Sequence, residues 1–350
     1  MWKLHRYYLK ELVINSAITF LVLLAVMVVS FVARGIQRSE SGGAWDALLI
    51  TLFFAFDSVP HILFISYLIA TVLTFTRAAQ DRELIAIRAA GISPRVPMAA
   101  AVLVGIALSV AGSVAMHYLI PEIHYRKYRV VADVIRNTFM NMKLHTDRVK
   151  FGDYVLVAAE RPSSYEFRDC TIYCPPGRPI GDLRSPIVRV DRVTMAITKD
   201  TIDVDLEGVH DPIGGTKTNL PIAIDMRDVA DRNRREDADD DVQSDQLLSE
   251  VFRGVHENPR QAVYTLLRRS CFAMMPFLLG PIGFCVAEFA RMRGRVLALV
   301  LALLPLTLFY LGEVVGRRML HATGNPWSAW MPAVLLAAFG APFCWRQLRR

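Results

Sequence analysis

The chain has 350 residues, of which 53% are hydrophobic and 21% are charged, and its formal net charge is +7. Its mean hydropathy of +0.32 is too high for an ordinary soluble domain, whereas its charged fraction is too high for a protein embedded entirely in a membrane. Apolar and charged segments must therefore be segregated along the chain, as in an integral membrane protein that also has a sizeable domain in water.

Long windows that are nearly free of charge predict six transmembrane helices. They cover residues 12–33, 47–76, 96–121, 270–287, 296–312 and 319–345. Each meets or approaches the roughly 17–25 residues that a helix needs to cross a bilayer. The first window follows a basic start, as a signal peptide would, but its apolar run exceeds the roughly 7–15 residues of a signal and no cleavage site closes it. We interpret it as a retained first span.

Lysine and arginine in the short loops predict the orientation. The loops on one side are rich in both residue types, whereas those on the other side contain only Arg34, Arg38, Arg317 and Arg318. Both termini and residues 77–97 are therefore expected in the cytoplasm. The predicted organisation is transmembrane helices 1–3 in residues 1–120, an exported domain in 121–260 and transmembrane helices 4–6 in 261–350.

The segment RAAQDRELIAIRAAGISPRVP, residues 77–97, predicts a short amphipathic helix between the second and third spans. Its apolar positions are Leu84, Ile85, Ile87 and Ala90, and its polar positions are Asp81, Arg82, Glu83 and Arg88. A charged helix of this kind suits docking to another protein. The alternative is an interfacial helix whose arginines meet anionic lipid.

Residues 121–260 differ in character from the windows around them. Runs such as PIVRVDRVTMAIT and TIDVDLEGV are rich in β-branched residues and partly alternate, which predicts an all-β sandwich or open jelly roll. Residues 228–245 have almost no apolar content and predict a solvated loop. Residues 246–269 have helical spacing and lead into the fourth span. The predicted fold class is an α+β membrane protein with a β-jelly-roll-like periplasmic domain between helices 3 and 4.

Catalytic motifs are missing from the sequence, which lacks a phosphate-binding loop and a nucleophile elbow. The histidines have no ligand spacing, so no metal is expected, and no nucleic-acid partner is expected either. Asp57 is the only acid deep within a window, and a helix-packing contact is favoured for it over a proton relay. Energy for any transport would have to come from a partner or an ion gradient.

Four segments resemble motifs of the lipopolysaccharide export permeases LptF and LptG. They are HRYYLKELV near the start, RELIAIRAAGIS, RMRGRVLALVLALLPLTLFYLGE and GNPWSAWMPAVLLA, and the second is the most specific. The order of three spans, an exported domain and three further spans is also similar to that family. The first and third segments lean towards the F-like partner.

The resemblance implies a non-catalytic permease subunit of an ABC exporter in the bacterial inner membrane, serving outer-membrane biogenesis. Two such permeases pair, bind a cytoplasmic LptB-like ATPase dimer, and pass lipopolysaccharide to LptC/LptA-like periplasmic bridge proteins. The permease itself needs no cofactor, because ATP is bound by the ATPase. The residues implied in ATPase coupling are Arg82, Glu83, Arg88 and Gly91. The residues implied in the substrate path are Arg34, Arg38, Arg317 and Arg318, for which simple anchoring at lipid headgroups stays open.

Two other classes of protein fit parts of the pattern. A membrane-anchored periplasmic scaffold or adhesion protein would need no ATPase. A gradient-driven lipid carrier would need polar residues at the membrane midplane, where only Asp57 and His61 are candidates. Copurification of an ATPase subunit would separate these classes.

Overall fold

A computed structural model describes residues 2–38, 44–126, 130, 148–151, 154–163, 165–174, 185–197, 201–225, 238–256, 258–291 and 294–349. The chain divides into two compact units. One contains Met1–Ala33, Thr51–His124 and Asp239–Arg350, and the other contains Arg34–Ile50 and Tyr125–Ala238. Residues 239–260, which the sequence analysis groups with the exported domain, thus pack with the helices. The compartment of each segment stays a prediction.

Most of the chain is helical. The helices are α1 (Trp2–Arg38), α2 (Ala44–Gln80), α3 (Glu83–Ala89), α4 (Arg95–Val114), α5 (Ser244–Arg253), α6 (Pro259–Phe289), α7 (Arg295–Thr323) and α8 (Met331–Arg349). A π-helical turn, Ala115–Leu119, continues α4, so that the apolar helix as a whole extends to Arg126. Short 3-10 turns, Ala238–Asp241 and Pro326–Trp330, precede α5 and α8.

Within the described residues, six helices are long and apolar enough to cross a membrane, and one falls in each predicted window. The predicted start of the last span is wrong, however. Residues 319–323 complete α7, which continues through Arg317 and Arg318, because charged side chains near a membrane surface do not break a helix. The last apolar helix begins only at Pro326, after Asn325 has accepted a hydrogen bond from the Trp327 amide at 3.1 Å.

Helix α6 lies at the centre of the helical unit and contacts α4, α7 and α8. Near its middle, Phe272 packs against Phe64 of α2 and Phe309 of α7, with ring centroids 6.2 and 4.9 Å away. Close to its C-terminal end, Phe284 packs on Phe75 of α2, whose centroid is 4.8 Å away. These aromatic contacts join helices from both groups of predicted spans into one core.

The second unit contains an antiparallel sheet. Its strands are β1 (Arg148–Phe151), β2 (Tyr154–Ser163), β3 (Glu166–Tyr173), β4 (Ile187–Ile197), β5 (Thr201–Asp211) and β6 (Gly215–Asp225). Each strand pairs with the next one along the chain, so the described strands form a six-stranded meander. The α+β class of membrane protein is thereby confirmed. The jelly-roll arrangement stays a prediction.

Along one row of residues across the sheet, the alternation of buried and exposed side chains is interrupted. Several residues in this row are not paired with a neighbouring strand, although the register of the pairs before and after them is the same: Ala159, Asp169, Asp191 and Gly208. Gly208 has φ +68°, and a Cβ there would collide with the Asp191 side chain. On β3 the buried positions accordingly step from Phe167 to Cys170 rather than alternating. This irregular row explains why the sequence alternates only in part.

All five cysteines are free. Cys170 and Cys174 lie in the apolar core of the sheet with Phe167 and Val190. Burial raises the pKa of the Cys170 thiol to about 12, so this thiol is a packing group with little nucleophilic character at neutral pH.

The acidic segment 228–245 is not simply the solvated loop that its composition predicts. Residues 226–237 lie outside the described part, but Asp239 and Asp241 are buried. Asp239 contacts His256 Nε2 at 2.8 Å, and Asp241 contacts His124 Nδ1 at 2.6 Å. The predicted helical stretch 246–269 is also divided, since α5 ends at Arg253 and α6 begins at Pro259.

Candidate functional site

The amphipathic helix predicted within residues 77–97 is present as α3, but it is shorter than predicted, because residues 77–80 complete α2 and residues 95–97 begin α4. The ends of α3 are set by local backbone chemistry. Arg82 precedes it in a left-handed conformation with φ 61°. At the other end Gly91 has φ +73°, its amide bonds to the Arg88 carbonyl at 2.9 Å, and the Ile92 amide bonds to the Ile87 carbonyl at 3.1 Å. This pattern is a Schellman cap, in which glycine is strongly favoured. Gly91 therefore ends the helix, whatever else it contacts.

One face of α3 is buried in the helical unit. Leu84 belongs to an apolar cluster with Tyr8 of α1, Phe75 of α2 and Phe284 of α6. Ile87 packs against the same cluster. Helix α3 has only seven residues, too few to be stable alone, so these tertiary contacts hold it in place.

Glu83 is engaged within the chain. Its carboxylate accepts a hydrogen bond from Tyr8 at 3.0 Å and a longer one from Tyr7 at 3.4 Å. Beside it, Arg77 donates to Tyr7 at 3.0 Å and pairs with Glu11 at 2.7 Å. The start of α1, the end of α2 and the start of α3 are thus joined by one polar network.

Arg88 forms an ion pair with Glu288, near the C-terminal end of α6. Only 6% of the Glu288 side chain is exposed. A carboxylate that is so deeply buried needs a cationic partner. Among the described residues, Arg88 is the partner that forms an ion pair with it.

The opposite face of α3 is exposed and mostly apolar. Ile85 is 51% exposed, and Arg82, Ala86 and Ala89 are exposed beside it. The helical spacing places Ile85, Ala86 and Ala89 on one surface. The exposed face of α3 therefore presents the charge of Arg82 beside the apolar side chains of Ile85, Ala86 and Ala89.

Arg317 and Arg318 are exposed near the end of α7, and neither forms an ion pair within the described part of the chain. Glu313 is not their partner, since it pairs with Arg268 of α6 at 2.7 Å. The backbone of α1 continues through Arg34 and Arg38, but their side chains lie outside the described part.

Asp57 lies near another polar contact. Its carboxylate is 3.9 Å from His124 Nε2, and the other ring nitrogen of His124 contacts Asp241. His124 therefore lies between an acid on α2 and an acid of the turn before α5. No group of three or more potential ligands in the described residues could hold a metal ion.

Three residues of this region carry contacts that the sequence analysis did not assign. Tyr7 and Tyr8 lie in HRYYLKELV, the first of the segments that resemble a family motif, so the sequence did mark them as candidates. The sequence marked Glu288 less clearly, only as an acidic residue directly after the predicted span 270–287. Its partner Arg88 is 200 positions away, and no local pattern could join the two.

Comparison with known protein families places part of the chain in a family. The family described as lipopolysaccharide export system permease LptF/LptG matches residues 6–178, about half of the chain, in a range that includes the whole of α2, α3 and α4. No curated protein matches the sequence.

Proposed function

Because the chain belongs to the LptF/LptG family of lipopolysaccharide export permeases, we propose that it is a permease subunit of an ABC-type exporter. It extracts lipopolysaccharide from the inner membrane and passes it to a periplasmic bridge of LptC/LptA-like proteins. Its partners are a second permease of the same family and a cytoplasmic LptB-like ATPase dimer, which binds the ATP.

The architecture of α3 carries this proposal. A helix that transmits a nucleotide-driven motion needs a firm attachment to the transmembrane helices and a free surface for the motor. Helix α3 has both features, since Leu84 and Arg88 attach it and Ile85 and Ala89 remain exposed. A scaffold protein would have no use for this arrangement.

Lipopolysaccharide carries phosphate groups, which arginine pairs bidentately. We assign the substrate path to Arg34, Arg38, Arg317 and Arg318. The exposure of Arg317 and Arg318 supports this assignment, because cations without an acidic partner are available to an anionic ligand.

The contacts of Asp57 agree with the packing role that the sequence predicts for it, and the energy source of lipid release decides between an exporter and a gradient-driven carrier. The His124 ring lies near Asp57 and bonds to Asp241, so Asp57 borders a polar contact between segments. A packing role accounts for these contacts without proton transfer.

The function is tested by reconstitution. The chain, a second permease from the same genome and the ATPase subunit are expected to copurify and to release lipopolysaccharide from proteoliposomes to a soluble bridge protein when ATP is added. The control is an ATPase subunit without its phosphate-loop lysine. Release that is driven by a proton gradient and needs no ATP would favour a carrier, and failure to copurify would favour a scaffold.

Replacing Glu83 with lysine is expected to weaken ATPase binding at least tenfold, which corresponds to about 1.4 kcal/mol. The reversal removes the carboxylate that accepts from Tyr8 and places a second positive charge beside Arg82 at the docking surface. Affinity is measured by titrating the ATPase onto permeases in nanodiscs. Glu83→Gln is the matched control and should lose less, because its amide oxygen still accepts from Tyr8. Unchanged affinity in Glu83→Lys would remove Glu83 from the coupling site.

The topology predicts the labelling of two introduced cysteines. In intact spheroplasts, an impermeant maleimide should react with Ser39→Cys but not with Ala89→Cys, whose site is exposed on α3. After the membrane is permeabilised, Ala89→Cys should react as well. The unaltered chain, with its five native cysteines, is the control for background labelling. The reverse pattern would invert the proposed orientation.

A further inference from the structure

Arg88 and Leu84 lie four positions apart on α3, and Glu288 and Phe284 lie four positions apart on α6. Leu84 and Phe284 share one apolar cluster, and Arg88 pairs with Glu288. In a helix, residues with this spacing lie on the same face. The two helices are therefore joined by the Arg88–Glu288 ion pair, and each also contributes an apolar residue, one helical turn away, to the same cluster.

The charge of Arg88 is directed into the protein rather than towards a docking partner. Its guanidinium bonds to a carboxylate that is 6% exposed, and the other Glu288 oxygen has no hydrogen-bond partner among the described residues. The exposed face of α3 is formed by other residues, including Arg82, Ile85 and Ala89. Arg88 is thus placed to attach α3 to α6.

We propose that the Arg88–Glu288 pair is the link through which α3 moves α6 when the ATPase acts. Arg88 is then a positioning residue and not an ATPase contact. This inference rests on the proposed function. Helix α6 suits the role, because it is continuous from Pro259 to Phe289 and packs on α4, α7 and α8. A displacement at its Glu288 end thereby reaches most of the helical unit.

Charge exchange tests the link. Arg88→Glu and Glu288→Arg each place like charges together in a partly buried site, and each is expected to lower ATP-driven lipopolysaccharide release at least tenfold. The exchanged pair, Arg88→Glu with Glu288→Arg, is expected to restore most of the release. The affinity for the ATPase should stay within about threefold of the unaltered chain in all three variants. Arg82→Glu is the matched control, since it makes the same change of charge at the residue that directly precedes the same helix. It should weaken ATPase binding, and Glu288→Arg should not rescue it.

A double variant without either charge tests the link even if the single variants fail to fold. Arg88→Met with Glu288→Gln removes both charges, so no unpaired buried charge remains. Its midpoint of thermal unfolding is expected to stay close to that of the unaltered chain, while the lipid released per ATP hydrolysed falls several-fold. A purely structural pair would not change this ratio at constant stability.

Two results would overturn the inference. One is loss of ATPase binding in Arg88→Glu without rescue by the exchange, which would make Arg88 a docking residue. The other is a full ratio of lipid released to ATP hydrolysed in the double variant without either charge. If the unaltered chain binds no ATPase, the proposed function itself fails, and that result is visible before any variant is compared.

Discussion

Replacing Arg269 with methionine is expected to release α5 from α6 and to lower the free energy of unfolding of this region by about 3–5 kcal/mol. Arg269 is buried, with 5% of the residue exposed. Its guanidinium donates to the Val242 carbonyl at 2.8 Å and to the Asp239 carbonyl at 2.9 Å. It also donates to Ser244 Oγ at 3.0 Å. One buried guanidinium thus supplies hydrogen bonds to backbone carbonyls of the segment before α5 and to the side chain of Ser244, the first residue of α5.

The size of the effect follows from what the substitution leaves behind. Methionine fills a similar length but donates no hydrogen bond, so the buried carbonyls lose their partner and each incurs a desolvation cost. The acidic side chains of the same turn also lose the nearby positive charge. Asp239 and Asp241 would keep their contacts with His256 and His124. We therefore expect the loss of stability to be confined to α5 and the turn before it.

Hydrogen exchange measures the Arg269 effect directly. Amides of residues 244–253 are expected to exchange about two orders of magnitude faster or more in Arg269→Met, whereas those of α2 should change little. Arg253→Met is the matched control, because Arg253 is exposed on α5 and its loss should stay within about 0.5 kcal/mol. Unchanged protection of α5 in Arg269→Met would mean that the apolar contacts of Leu247 hold this helix without the arginine.

Hydropathy located the spans because a bilayer imposes a length and excludes charge from its centre. The same reasoning misplaced the start of the last span, since the window 319–345 begins directly after Arg317 and Arg318, although helix α7 continues through both to Thr323. Charge density marks where a helix leaves the hydrocarbon. It does not mark where the helix stops.

The position of α3 was predictable from its amphipathic pattern, but the direction of its charges was not. A pattern separates apolar from polar positions, and Arg88 was therefore assigned to an outward polar face. The partner that turns it inward, Glu288, comes from another helix. The exposure of Ile85 was not predictable either. The seven residues of α3 cannot bury every apolar side chain of the helix, and the sequence pattern does not indicate which one stays exposed.

Composition also misled at the turn before α5. Three consecutive aspartates predict solvent exposure, yet Asp239 and Asp241 are buried, because Arg269, His256 and His124 lie around them. In the sheet, the row through Asp169 and Gly208 shifts which side chains face inward, so a strict period of two could not be read from the strands. Both failures reflect tertiary contacts that outweigh local preference.

Replacing Gly312 with alanine is expected to displace α7 from the segment that precedes and begins α8. A Cβ at Gly312 would lie 2.5 Å from Pro332 Cα and 2.7 Å from Pro332 N. These are backbone atoms, so no side chain can rotate away and the helices must move apart. Forcing extra volume into such a contact costs about 1–3 kcal/mol. A Cβ at Gly316 would likewise lie 2.5 Å from the Ser328 carbonyl oxygen, so these two glycines, in a G-x-x-x-G spacing, lie at one close helix contact.

The double variant, Gly312→Ala with Gly316→Ala, gives the sharper measurement. The two sites are one helical turn apart and face one segment, so the displacement forced by the first methyl group already makes room for the second. The destabilisation is therefore expected to be less than the sum of the single effects.

Gly112→Ala is the matched control in α4, where the nearest atoms would be 3.8 Å from the new Cβ. It should be neutral or slightly stabilising, because alanine favours the helix. Thermal unfolding in nanodiscs compares the four variants with the unaltered chain, and a midpoint for Gly312→Ala equal to that of Gly112→Ala would show that α7 and α8 do not depend on this close approach.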